Sequence, residues 1–203
     1  MANISCVLFD LGGVILNWND SWFIQEVGDE FQLQKEKLSE EFHKNLPDIS
    51  TGRINEKEFW YNIGNKLESQ KLMNLNVSLL DKIFRKRVSL NNSVISLSRN
   101  LFQKGVDVGI LSNTEPVTYS VAEDLVSLTH FKHKFLSYKI GHLKPDPEIY
   151  KYVIDNIPFP KEELFFIDDL KPNVESARSA GIDSVQYFDY DELVKECHNR
   201  KLI

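Results

Sequence analysis

The chain has 203 residues, 42% apolar and 27% charged, enough for one sizeable core or for a core with a small appended unit. Its formal charge of −6 argues against broad contact with nucleic acid, which needs a basic face, and the apolar stretches Cys6 to Phe9 and Val14 to Leu16 are far shorter than the roughly 20 residues that span a bilayer. No basic segment leads into an apolar one at the N-terminus, and Cys6 and Cys197 read as reduced thiols, so a cytoplasmic protein with neither membrane nor nucleic-acid partners is expected.

Along the chain, Ile4 to Phe9 is a strand-forming run that ends abruptly at Asp10, and Gly12-Gly13 marks a tight turn. Residues 18 to 90 differ: Phe31, Leu38, Phe42 and Leu46, then Phe59, Ile63 and Leu67, have helical spacing without an intervening strand run, which reads as a helical insertion. Its aromatic residues, Trp18, Trp22, Phe23, Trp60 and Tyr61, are expected in the core of that insertion. A second strand, Val106 to Leu111, runs into Ser112-Asn113-Thr114, with Thr114 expected to cap a helix that has Pro116 in its first turn. A short strand is expected near Phe135 to Tyr138, followed by a stiff loop, Gly141 to Pro147, in which Asp146 caps the next helix. Leu164 to Ile167 leads into Asp168-Asp169, Pro172 opens a helix that ends at Gly181, and a last strand covers Ser184 to Phe188. Strands that are apolar throughout suit a parallel sheet covered on both faces, so the fold class is α/β.

In such sheets ligands bind beyond the carboxyl ends of the strands, which gathers Asp10, Ser112, Asn113, Asp168 and Asp169 at one edge. An aspartate at a glycine-rich turn serves either as a turn residue or as a nucleophile that attacks phosphorus. Ser112 and Asn113 either cap a helix or bind the oxygens of a phosphoryl group. Lys144, in the proline-stiffened loop, is either a solvated lysine or a point charge aimed at the crevice. The adjacent carboxylates of Asp168 and Asp169 repel each other and are best kept ionised beside a hard cation such as Mg2+.

In order and spacing, Phe9-Asp10-Leu11-Gly12-Gly13-Val14, Leu111-Ser112-Asn113-Thr114, Gly141-His142-Leu143-Lys144-Pro145-Asp146 and Phe166-Ile167-Asp168-Asp169-Leu170-Lys171-Pro172-Asn173 resemble the haloacid dehalogenase-like superfamily, mostly phosphatases. Within it the chain looks like the sugar-1-phosphatases and the N-terminal phosphatase domain of soluble epoxide hydrolase. The resemblance implies a Rossmann-like three-layer parallel-sheet core, residues 1–17 and 91–203, with a small α-helical cap, residues 18–90, inserted after the first strand. It implies that Asp10 is nucleophile and magnesium ligand, that the main-chain carbonyl of Gly12 and the carboxylate of Asp169 are further ligands, and that Asp168 binds directly or through water. Ser112, Asn113 and Lys144 would hold the phosphoryl group of a small phosphorylated metabolite, Asn173 would brace the metal loop, and Arg53, in the cap turn Ser50-Thr51-Gly52-Arg53, would reach the substrate.

One position departs from the family pattern. Most of these phosphatases carry a second aspartate two residues after the nucleophile, as general acid and base, and here that residue is Gly12. Such help is typically worth 10²–10⁴-fold in rate. The gap is tolerable if the leaving group is good, as in a sugar 1-phosphate, or if another group supplies the proton. It would also suit a catalytically weak phosphate-ester-binding protein. A 2-haloacid dehalogenase lacks that aspartate too, but it needs no metal and gives the Asp168-Asp169 pair no purpose.

Overall fold

The computed structural model describes residues 3–203. A five-stranded parallel sheet forms its centre, in the order β5-β4-β1-β6-β7. The strands are β1 (Cys6–Phe9), β4 (Asp107–Ser112), β5 (His133–Leu136), β6 (Leu164–Asp168) and β7 (Asp183–Gln186). In β1, Val7 and Phe9 face one apolar cluster while Cys6 and Leu8 face the other. Burial on both sides explains why the run is apolar at every position rather than at alternate ones. Helices α6 (Asn92–Gln103), α7 (Pro116–Leu125) and α11 (Tyr190–Asn199) pack on the first face. Helices α9 (Pro147–Asn156) and α10 (Lys171–Ser179) pack on the second, which completes three layers.

Between β1 and β4 lie α1 (Ser21–Phe31), α2 (Lys35–Ser50), α3 (Glu56–Lys66), α4 (Gln70–Met73) and α5 (Leu79–Arg87). A two-residue ribbon that the sequence did not announce brackets them: β2 (Leu16–Asn17) pairs antiparallel with β3 (Ser89–Leu90). Asn91 reinforces it, donating its backbone N–H to Ile15 and its side-chain amide to the Val14 carbonyl. Phe23, Phe42, Phe59 and Trp60 fill the interior of the helical insertion, whereas Tyr61 is 51% exposed and Trp18 is 37% exposed.

Several expected boundaries move. Helix α7 is capped by Glu115, not Thr114, because the longer side chain reaches the backbone N–H groups of both Val117 and Thr118. Strand β5 ends at Leu136 because Ser137 starts the short helix α8 (Ser137–Ile140). The Ser137 hydroxyl lies 2.6 Å from the Ser50 carbonyl oxygen and accepts the Thr114 N–H at 2.9 Å, which ties the insertion to the sheet edge. Strand β7 stops at Gln186, leaving Phe188 67% exposed. The sulfurs of Cys6 and Cys197 are free and buried, so the ends are not joined by a disulfide.

Candidate active site

β4 and β6 end in Ser112 and Asp168, and Asp10 directly follows β1, because each apolar run stops where the sheet meets the crevice. Parallel pairing of β1 with β6, Phe9 opposite Ile167, brings Asp10 beside the acidic pair. Oxygens of Asp10, Asp168 and Asp169 all lie within 4.8 Å of one another. Gly13 permits this: its φ of +79° suits the left-handed turn, and a Cβ there would collide with the Asp169 carboxylate.

Lys144 is 4% exposed, and its ammonium sits 2.9 Å from Asp10 Oδ1, 2.6 Å from Asp168 Oδ2 and 2.9 Å from the Leu111 carbonyl oxygen. All three of its N–H donors are thereby engaged within the protein. The loop that carries it is clamped by Asn113, whose side chain accepts the Lys144 N–H and donates to the Lys144 carbonyl, both at 2.8 Å. The Asn113 amide thereby positions the Lys144 loop while Asn113 also lines the cavity. Asp168 is fully buried and accepts from Lys144, from the Leu170 N–H at 2.8 Å and from Asn173 at 2.9 and 3.1 Å. Asn173 thus braces the acidic loop as the sequence suggests, and Tyr150 holds the Asn173 carbonyl at 2.8 Å.

Both donors that reach Asp10, the Leu11 N–H and Lys144, fall on Oδ1. Oδ2 has no protein donor among the described residues, which leaves one lone-pair-bearing oxygen available for attack or coordination. Burial pushes the Asp10 carboxyl up to about 7 despite the downward pull of Lys144, with Asp168 adding to the rise. Burial and the negative charge of Asp168 also raise Asp169, while Lys144, although burial opposes its charge, is held above its ordinary value by Asp10 and Asp168. With all three carboxylates ionised against one ammonium, the cluster would carry an excess of two negative charges. A hard divalent cation on clustered oxygens would neutralise that excess, so the donor set fits such an ion.

The raised carboxyls make a testable statement about the metal-free protein. A carboxyl with a higher folded than unfolded pKa binds more protons when folded, so stability falls as pH rises through that window, here from 3.8 to about 7 for Asp10. In chelator, wild-type protein should therefore lose more resistance to urea between about pH 4 and about pH 8 than Asp10→Asn does. A parallel pH dependence in the two proteins would remove Asp10 as the source.

Asp10 and Asp169 line a cavity of about 560 Å³, within the usual range of small-molecule sites, with Asp168 buried behind them. Ser112 and Asn113 line it, as do Trp18, Phe42, Leu46, Ile49, Phe59 and Phe84 of the insertion and its border. Arg53 does not: its side chain is 67% exposed and pairs with Asp48 at 3.2 Å. The turn that carries it nevertheless docks on the core, because Gly52, at φ +73°, lies so close to the Tyr138 carbonyl that a Cβ would clash. At Gly12 a Cβ would meet Trp18 carbons at 3.5–3.6 Å, an ordinary contact distance, so the indole packs beside this position.

A family model described as haloacid dehalogenase-like hydrolase matches residues 4–181. The chain belongs to this family. D-ribitol-5-phosphate phosphatase of Bacteroides thetaiotaomicron is 26% identical to the hydrolase over 212 residues, which cover 90% of this chain and 91% of that one. Drimenol cyclase of Aspergillus calidoustus is 24% identical over 97% of this chain but only 36% of its own length, so the hydrolase spans about a third of that relative. A HAD family enzyme of B. thetaiotaomicron, solved in complex with magnesium and inorganic phosphate, matches the hydrolase with a TM-score of 0.75 and 25% identity, over 94% of this chain and 98% of that one. No helix among the described residues of the hydrolase is long and apolar enough to cross a membrane.

Proposed function

We propose that this hydrolase is a magnesium-dependent phosphatase that cleaves a small phosphomonoester through an aspartyl-phosphate on Asp10. One observation carries the reading: Asp10, Asp169 and the buried Lys144 line a ligand-sized cavity with Asp168 clustered behind them, and Asp10 Oδ2 is left unpaired. In this reading Oδ2 attacks phosphorus, the bond from phosphorus to the ester oxygen breaks, and the alcohol departs with the electron pair. Water then attacks the aspartyl-phosphate, releasing inorganic phosphate and restoring Asp10. Lys144 favours the ionised nucleophile and offsets charge on the transferring group, Asp168 and Asn113 hold Lys144 in place, and the Ser112 hydroxyl faces the phosphoryl oxygens. When held by Asp10, Asp169, the Gly12 carbonyl and, directly or through water, Asp168, Mg2+ would neutralise the ester's negative charge.

Residues 18–90 act in this reading as the cap over the leaving group, on a core of residues 1–17 and 91–203. Two free, buried thiols support action in the cytoplasm. The dehalogenase alternative leaves the excess charge of the acidic cluster without a purpose.

Hydrolysis of p-nitrophenyl phosphate with magnesium, stopped by a chelator, tests the reading. Asp169→Asn should lower the rate by roughly 100-fold or more and raise the magnesium concentration required, since even indirect partners of a metal typically matter 10–100-fold. An unchanged rate in chelator would overturn the metal assignment.

A further inference from the structure

We propose that the substrate is the phosphate ester of a phenol, or of an alcohol of comparable acidity, carried on an uncharged apolar ring system. The inference rests on the phosphatase reading and adds the leaving group to it. Two independent observations carry it.

The first is the wall of the cavity. Above the acids it is built from Trp18, Phe42, Phe59 and Phe84, with Leu46 and Ile49 completing the apolar lining. Trp18 and Phe84 already lie ring to ring, centroids 5.2 Å apart, and Phe42 and Phe59 lie 5.3 Å apart. Several polar groups of the lining are committed elsewhere. Glu115 spends its two oxygens on the N-terminus of α7, Thr114 and Thr118 face each other at 3.3 Å, and His43 pairs with Asp20 at 2.6 Å. Lys144 is the one lysine in the lining, engaged with Asp10 and Asp168, and no arginine joins it. Against the aromatic wall, the hydroxyls of a polyol, a second phosphate or a carboxylate would lose water without gaining a partner. An aromatic ring would lose nothing of that kind and would gain ring contacts.

The second observation concerns the proton. At Gly12, where a proton donor for the leaving oxygen would project, the neighbour is the Trp18 indole. Without that donor the P–O bond breaks with the electron pair on the departing oxygen, which takes its proton from water only afterwards. An aliphatic alcohol is about as weak an acid as water, and its anion leaves poorly. A phenol has a pKa near 10, as tyrosine does, and its anion leaves without prior protonation. One substrate class satisfies both the wall and the missing donor.

Three esters with a ring of the same size separate the possibilities: phenyl phosphate, cyclohexyl phosphate and myo-inositol 1-phosphate, each assayed with magnesium. Phenyl phosphate should turn over. Cyclohexyl phosphate should compete for the site with a Ki within a few-fold of the KM for phenyl phosphate but turn over at least about 100-fold more slowly, the scale of lost acid catalysis. Inositol phosphate should bind at least about tenfold more weakly than either, because its hydroxyls go unpaired. Gly12→Asp should narrow the phenyl-to-cyclohexyl ratio by about tenfold or more. Equal turnover of the phenyl and cyclohexyl esters would show that a donor exists and overturn the inference. So would inositol phosphate hydrolysed in preference to phenyl phosphate, an outcome that leaves the phosphatase reading standing. Failure to hydrolyse any of these esters, p-nitrophenyl phosphate included, would remove that reading and the inference together.

Discussion

Asp10→Asn is expected to abolish turnover, by something on the order of 10⁴- to 10⁶-fold, the range seen when a covalent nucleophile is removed. The substitution keeps the shape of the side chain and can still accept the Leu11 N–H and a Lys144 donor on the remaining oxygen. It replaces the unpaired Oδ2 with an amide that has no nucleophilic lone pair. Lys144 keeps Asp168 and the Leu111 carbonyl, so the variant should fold. Phosphate release under saturating magnesium gives the rate, and the intact mass of rapidly quenched protein reports the phosphoryl adduct, present in wild type and absent in the variant. Wild-type turnover by Asp10→Asn would end the covalent mechanism.

Lys144→Met should have the largest effect on stability. The lysine is 4% exposed and stands between two carboxylates that are 6% and 0% exposed. Removing one partner from such a buried arrangement leaves uncompensated charge and typically costs about 3–5 kcal/mol. Against a total folding stability of about 5–15 kcal/mol, that is a large share. The loss should be largest in chelator and smaller with magnesium, since a cation on the same oxygens replaces part of the lost positive charge. Turnover should also disappear. Urea unfolding of the two proteins, with and without magnesium, measures both effects. A loss below about 1 kcal/mol in chelator would mean that the lysine does not compensate the acids.

The sequence reveals the sheet and its carboxylate-bearing edge because both depend on local pattern. Apolar runs buried on both faces announce themselves, and so do the polar residues that end them, which is why Asp10, Ser112 and Asp168 fall at the ends of β1, β4 and β6. Lys144 is recoverable from its proline-stiffened loop, although its saturation by Asp10, Asp168 and Leu111 is a product of tertiary packing. The side chains that depend on long-range packing are not legible. Arg53 sits in a turn that does dock on the core, yet its guanidinium finds Asp48, five residues back, instead of the cavity. The Asn113 amide is claimed by backbone 31 residues away, and Glu115 outreaches Thr114 as a cap by the length of its side chain. Trp18 is visible only as one aromatic residue among several until the turn at Gly12 brings it against the glycine. The ribbon of β2 and β3 is too short, at two residues a strand, to leave a periodic signal.

That ribbon has a consequence for how such a protein can diverge. The polypeptide departs from the sheet at Leu16–Asn17 and comes back at Ser89–Leu90, at hydrogen-bonded neighbours, so the stem of the excursion is already closed whatever is threaded onto it. Doubling the length of a flexible excursion of this kind adds only about 0.6 kcal/mol of closure entropy. Added length between those two points would cost the carboxylate-bearing edge little, as long as the contacts of Ser50 with Ser137 and of Gly52 with Tyr138 are kept. Length can thus vary within one contiguous stretch of gene while the carboxylate-bearing edge stays as it is.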